Sequence, residues 1–434
     1  SGNLYRINKA TGASTLVGIT TFISITGLAH VMPAAPTPTP TPTPPVTNTV
    51  KFGSNTLNVT ETLDVTTKVD LQVTRTGDTS AAASVNYTTV DGSATEKSDY
   101  ETILGTLRFA AGETTKTITV FIVDDRLGEG AQAFNVILSN PVGCGISSPS
   151  GIVVTIQSNE AIHGSNPVKD LNFNSDFFVR QHYLDFFNRE ADAAGLAFWK
   201  NQIDECTTQS CRELRRINVS AAFFVSIEFQ ETGYLVYKTN QAAFNSGERL
   251  KLRDFLFDTQ EIGRGVVIGK PGADALLEAN KQKFFTDFVQ RAKFLEPANY
   301  PTTLTAAQFV DKLNANTFDP RVAGSTGALS TAERNARVAQ LTPDPSSPTL
   351  RAQVLRSITQ NSLFHSRQLN KAFVLMQYFG YLRRAPNDAP EQGQNFDGYN
   401  FWLAKLNEFN GNFVQAEMVK AFIISGEYQQ RFGP

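Results

Sequence analysis

Hydrophobic and polar positions follow three rhythms along this chain. Between residues 48 and 160, apolar and polar side chains alternate in short runs broken by turn residues. VKF, TLNVT, KVDLQVTRTG, ASVNYTTVDG, GTLRFAAGE, KTITVFIVDD, AFNVILSN and GIVVTIQ each read as one strand, since a period of two puts alternate side chains on one buried face. Seven or eight such strands in about 110 residues predict an immunoglobulin-like all-β sandwich. From residue 161 the period lengthens. Phe223, Phe224 and Ile227 fall at helical spacing, and Phe178, His182, Asp185 and Phe186 share one turn-to-turn face, so residues 161–434 read as an all-α region. Before the sandwich, Leu4–Ile7, Ser14–Gly18 and Thr21–Thr26 read as short strands, with Lys9-Ala10-Thr11-Gly12 as a turn.

The segment PTPTPTPTPP at 36–45 separates the first pattern from the second. Alternating proline locks φ and removes every second donor, so residues 34–47 form a Pro/Thr-rich spacer of polyproline II character. Thr37, Thr39, Thr41 and Thr43, between prolines, suit O-glycosylation, or the segment is a bare linker. Residues 1–33 are too few to bury a sheet face alone. They form an orphan β segment, either the tail of a preceding domain or strands that complete the sheet of a neighbouring subunit.

The helical region repeats itself. AAFFVSIEFQ (221–230) and KAFIISGEYQ (420–429) share one register, and each follows a Phe-Trp pair, Phe198-Trp199 and Phe401-Trp402. Tyr183 and Arg189 keep the spacing of Tyr378 and Arg384, with Glu228 and Glu427 as candidate partners that would otherwise sit on a solvated face. Residues 352–367 align on 416–431, which points to three units near 172–240, 281–367 and 368–434. Equivalent tryptophans argue for packed anchors rather than ligand contacts.

Charge changes the picture by exclusion. Net charge is −2, which leaves no electrostatic footprint for nucleic acid. No apolar run approaches a transmembrane segment. Of 32 Phe, 27 lie beyond residue 160, so the aromatic excess belongs to the helical units, where it fills their cores. The chain opens on Ser1 without Met or a signal-peptide pattern, as a processed product or fragment would.

Three resemblances sharpen these readings. VTRTGDTS, VNYTTVDGSATEKSDYETILGTLRFAAGETTKTITVFIVDD and FNVILSNPVG together resemble a Calx-beta domain across 50–160. YLDFFNREADAAGLAFW with INVSAAFFVSIEFQETGYLVY, and FVLMQYFGYLRRAPNDAP with GYNFWLAKLNEFNGNF, resemble the bacterial domain of unknown function 4214. LYRINKATGASTLVG resembles one propeller-like repeat of secreted bacterial proteins. The resemblances imply a secreted or cell-surface protein, with adhesion-type domains as the usual company.

The Calx-beta resemblance also implies calcium, because calcium-binding members gather carboxylates at one end of the sandwich to supply a hard cation with oxygens. Matched motif to motif, the acids are Asp99, the pair Asp124-Asp125, Glu129, an early acid at Glu61, and Glu160 after the last strand. This sequence departs from the pattern at Arg126, Gln132 and Ser158-Asn159, where acids are expected. The departures imply one ion on Asp99, Asp124, Asp125 and Glu129 with Glu160 near, or acids that cap loops and pair with Arg126. Cys206 and Cys211 bracket a polar loop and suit a local disulfide in an oxidising compartment. Cys144 remains as a small buried residue.

Enzyme motifs are not found. GxSxG and HExxH are missing, and in IGRGVVIGKPG (262–272) Arg264 and Pro271 replace residues a phosphate loop needs. Asp192 and Asp397 stand where helix N-caps are wanted. The expectation is a non-enzymatic structural or interaction protein. Its concrete form is a self-assembling filament or surface layer joined through the N-terminal strands, with protein partners. The alternatives are an adhesin or carbohydrate-binding module presenting Tyr234, Tyr237 and Tyr399, and an accessory region of a larger secreted enzyme.

Overall fold

A computed structural model describes residues 2–7, 14–20, 48–62, 66–160, 164–172, 175–319 and 327–434. The chain forms two compact units, Ser1–Val46 and Thr47–Pro434. In the first unit, β1 (Gly2–Ile7) pairs antiparallel with β2 (Ser14–Thr20), and the register shifts between Leu4 and Tyr5. The expected third strand at Thr21–Thr26, the turn at 9–12 and the spacer with Thr37, Thr39, Thr41 and Thr43 lie outside the described residues.

The second unit begins with β3 (Thr49–Phe52), β4 (Thr56–Thr60), β5 (Thr67–Thr76), β6 (Ala83–Val90), β7 (Leu104–Phe109), β8 (Thr115–Ile122), β9 (Gln132–Val142), β10 (Gly145–Ile146) and β11 (Gly151–Gln157). They build two sheets, ordered β10-β3-β5-β8 and β4-β11-β9-β6-β7. Alternation explains what is inside. On β5, Val69, Leu71 and Val73 point inward and are buried, and Arg75 continues the same face. Its guanidinium is satisfied at the rim of the core by Asn48 Oδ1 at 2.9 Å and the Ala81 carbonyl at 2.7 Å.

The remainder is helical. Its elements are α1 (Ser175–Phe187), α2 (Ala193–Asp204), α3 (Gln209–Val225), α4 (Ile227–Glu231), α5 (Gly233–Phe244), α6 (Leu252–Gly263), α7 (Ala273–Phe288) and α8 (Ala292–Leu295). They continue with α9 (Ala306–Ala315), α10 (Thr331–Leu341), α11 (Pro348–Thr359), α12 (Ser362–Gly380), α13 (Asp397–Glu408), α14 (Met418–Ile423) and α15 (Gly426–Gln429). None of the described helices is long and apolar enough to cross a membrane.

The first and last units correspond bond by bond. Arg189 grips Glu228 through two bonds of 2.6 Å, and Arg384 grips Glu427 at 2.7 and 3.1 Å. Ser226 caps α4 and Ser425 caps α15 with the same side-chain acceptance. Trp199 packs toward Phe223 and Trp402 toward Phe422, with ring centroids 5.9 and 5.8 Å apart. Gly195 and Gly398 lie under the hydroxyls of Tyr183 and Tyr378, where a Cβ would come within 2.2 and 2.7 Å of the oxygen. The expected unit boundary at 367/368 falls inside α12, which runs unbroken from Ser362 to Gly380. One helix therefore ends one unit and begins the next.

Two smaller expectations change. Asp192 caps α2, accepting from Gly195 N at 3.1 Å. Asp397 is instead the first residue of α13, and Asn395 Oδ1 takes its N–H at 2.9 Å. Tyr234, Tyr237 and Tyr399 are buried, at 0%, 0% and 3% exposure. They brace the core and offer no surface to a sugar.

The sandwich docks on the helices rather than swinging from them. The backbone N–H groups of Leu104 and Thr106, on edge strand β7, donate to Gln260 Oε1 and Glu261 Oε1 of α6 at 3.0 and 3.1 Å. Asn188 and Arg383 hold equivalent positions in the two units, both with φ near +50°, and both reach the loop before β7. Asn188 donates to the Thr102 carbonyl at 3.0 Å, and Arg383 pairs with Glu101 at 3.0 Å. Arg431 pairs with Asp185 at 2.8 Å nearby, and Gln181 donates to both carboxylates, at 3.3 Å to Glu101 and 3.0 Å to Asp185. All four charged side chains are at most 4% exposed.

Candidate metal centre

Several chain segments converge at one end of the sandwich and bring the predicted acids together. Beyond β8, the Val123 N–H donates to the Asp99 carbonyl at 3.0 Å, which ties the Ser-Asp-Tyr element to the Asp124-Asp125 pair. Beyond β4, the Glu61 N–H donates to the Gln157 carbonyl at 3.1 Å, which brings Glu61 beside the segment leading to Glu160. Glu129 enters from the loop before β9.

The six acids form two triads, Asp99–Asp125–Glu129 and Glu61–Asp124–Glu160. In each, one oxygen per residue lies within 4.8 Å of the others. The expectation of one set containing both Asp124 and Asp125 is thus divided. Neighbouring side chains in a run continuing a strand turn to opposite sides, and these two serve different triads.

Burial makes these carboxylates unusual. Asp125 is 1% exposed and Glu61 9%. Asp125 Oδ1 accepts from Leu127 N at 2.8 Å, while Asp125 Oδ2 and Glu61 Oε2 are buried with no partner among the described residues. Asp99 accepts from Thr95 N at 2.6 Å, Asp124 from Asn159 Nδ2 at 2.7 Å and Glu129 from Gln132 Nε2 at 2.6 Å. Glu160 meets Arg126 at 3.2 Å. Both the loop-binding and the Arg126-pairing contacts are therefore present alongside the clustered oxygens.

Desolvation, reinforced by the neighbouring acids, pushes Glu61 and Asp125 up to about 8 and Asp99 up to about 6. Like charges that share a dry site cannot all ionise. A hard divalent cation relieves both the burial and the repulsion, because it supplies the missing charge and is ligated by the orphaned oxygens. The donor set is all oxygen and fits calcium, with no sulfur or imidazole to favour a softer metal.

The acidic end also touches the helical region. Arg126 N donates to the Phe432 carbonyl at 3.1 Å, and the Arg126 carbonyl accepts from Gly164 N at 2.9 Å. Sequence reading missed this contact and the Glu101–Arg383 and Asp185–Arg431 pairs. Glu101 and Arg383 alone lie 282 residues apart, so no local spacing announces such contacts.

Elsewhere, Cys206 in the loop after α2 forms a disulfide with Cys211 in the first turn of α3, and Cys144 is a half-buried free thiol. His182 bonds the Phe178 carbonyl at 2.7 Å and Ser220 Oγ at 2.9 Å, entirely enclosed.

Residues 46–160 match the family model of the Calx-beta domain, and residues 158–232 match that of a domain of unknown function (DUF4214). Sodium/calcium exchanger 1 of Mus musculus is 42% identical over 87 residues, 20% of this chain and 9% of the exchanger. Sodium/calcium exchanger 3 of Homo sapiens is 44% identical over 68 residues, 16% of this chain and 7% of the exchanger. The chain thus spans only a small part of the curated relatives it matches. Among solved structures, the apo-form Calx CBD1 domain is 28% identical and aligns 26% of this chain with 98% of its own, at a TM-score of 0.25. The calcium binding domain CBD12 of CALX1.1 is 29% identical and aligns 25% of this chain with 45% of its own, at a TM-score of 0.24.

Proposed function

We propose that this chain is a non-enzymatic extracellular interaction protein whose β-sandwich binds calcium at its acidic end. The observation that carries this reading is the pair of buried carboxylate oxygens without partners, Glu61 Oε2 and Asp125 Oδ2, set among four further acids. Calcium would be held by these side chains and would supply the positive charge that their burial demands. Backbone bonds at Glu61 and Asp99 tie strand ends together, and Arg126, next to Asp125, bonds Phe432 near the helical C-terminus, so occupancy would stiffen the join between sandwich and helices.

Calorimetric titration of chelator-stripped protein tests this, with magnesium as a control. Calcium at a hundred times its Kd adds about 2.7 kcal/mol to stability, which a thermal melt reads. Asp125→Asn should remove both heat and stabilisation. Unchanged calcium binding in Asp125→Asn would sink the assignment.

The disulfide supports an oxidising, extracellular setting. The two-stranded β1–β2 sheet supports self-association, since two strands are marginal in water and these pair with no third strand among the described residues. In this reading the N-terminal strands complete the sheet of a neighbouring copy, building a filament or surface layer. Sedimentation and electron microscopy of the full chain and of a variant lacking residues 1–35 test it. A full chain that stays monomeric at high concentration would remove the assembly reading and leave the calcium reading standing.

A further inference from the structure

We infer that Arg126 is a tethered cation for the Glu61–Asp124–Glu160 triad, so the acidic end takes a single calcium ion, at Asp99–Asp125–Glu129. The inference rests on the calcium reading above and names its stoichiometry.

Arg126 and Glu160 are buried together, with side chains 12% and 8% exposed and Nη1 to Oε1 at 3.2 Å. The arginine is held there by the helical region. Its N–H and carbonyl are both bonded, to Phe432 and Gly164. Gly164 and Gly433 lie against its stem, where a Cβ would make ordinary contact with Arg126 carbons at 3.4 and 3.5 Å. The guanidinium is thus fixed from the backbone outward at one triad. A divalent ion at that triad would meet a fixed positive charge a few ångströms away and would have to take Glu160 from it.

The other triad differs. Asp99 and Asp125 receive their bonds from the neutral backbone donors of Thr95 and Leu127. Asp125 Oδ2 remains buried and unpartnered. Glu61 Oε2, in the Arg126 triad, is buried without a partner too, but a guanidinium already stands at that triad, whereas the bonds to Asp99 and Asp125 come from neutral donors.

Calcium titration of the chelator-stripped full chain by calorimetry decides it. Wild type and Arg126→Lys should each bind one ion per chain. Arg126→Glu should bind two, and Arg126→Gln, which removes the cation without adding a ligand, should admit a second, weaker ion. Circular dichroism checks that each variant folds, and Arg126→Gln serves if Arg126→Glu does not. Two ions on wild type, or one ion on both folded Arg126→Glu and Arg126→Gln, would overturn the inference. If wild type binds none, the calcium reading falls. In that case one ion on Arg126→Glu would still support the tethered cation, and none would remove it.

Discussion

Arg383→Met should destabilise the protein in a way that depends on pH. The guanidinium of Arg383 pairs with Glu101 at 3.0 Å across the sandwich–helix junction, and the two side chains are 0% and 1% exposed. Burial pushes the Glu101 carboxyl up, and Arg383 pulls it back. Without the arginine, a dry carboxylate would lie beside Asp185, so Glu101 should take a proton. Protonating a carboxyl whose ordinary pKa is 4.5 costs about 3.4 kcal/mol at pH 7 and about 1.4 kcal/mol at pH 5.5. The first value falls within the roughly 3–5 kcal/mol of breaking a buried pair. Urea denaturation at both pH values measures the loss, followed by the fluorescence of Trp199 and Trp402 and by circular dichroism. Glu101→Gln combined with Arg383→Met should recover much of the loss at pH 7 and lack the pH dependence. Equal losses for Arg383→Met at the two pH values, or single-variant losses that add within about 0.5 kcal/mol in the double variant, would refute the reasoning.

Three other outcomes are expected. Burial depresses His182 from its ordinary 6.5 to about 4, so the stability it contributes is intact above pH 6.5 and is lost as pH falls toward 4. The full loss is about 3 kcal/mol, and His182→Gln should be less acid-sensitive than wild type in urea titrations at pH 7 and 4.5. Glu61 and Asp125 have the opposite sign. Their raised carboxyls keep protons in the folded apo protein, so its stability falls as pH rises from about 4 toward 8. Calcium binding at pH 7 should then release protons, seen as a dependence of the calorimetric heat on buffer ionisation enthalpy. Gly380→Ala would place a Cβ 1.9 Å from a Phe186 ring carbon, costing about 1–3 kcal/mol through overpacking. Gly263→Ala, with nothing within 4 Å, should be neutral or stabilise by up to about 1 kcal/mol, and thermal melts compare the two.

Periodicity by itself determined the architecture. Strands and helices are local, and alternation or helical spacing names the buried face before any partner is known. The duplicated helical unit was legible too, because Arg189–Glu228 and Arg384–Glu427 lie in matching registers. So were all six acids of the two triads. Tertiary structure alone decided how those acids divide, where Arg126 points, and that the sandwich is clamped to the helices by Glu101 and Arg383. It also turned Tyr234, Tyr237 and Tyr399 inward and ran α12 straight through an expected boundary. The reason is one of range. A residue's secondary structure is set by neighbours within a turn or a strand, whereas its charge partner is chosen by the packing of segments hundreds of residues apart, where desolvation makes an unpaired charge too costly to leave.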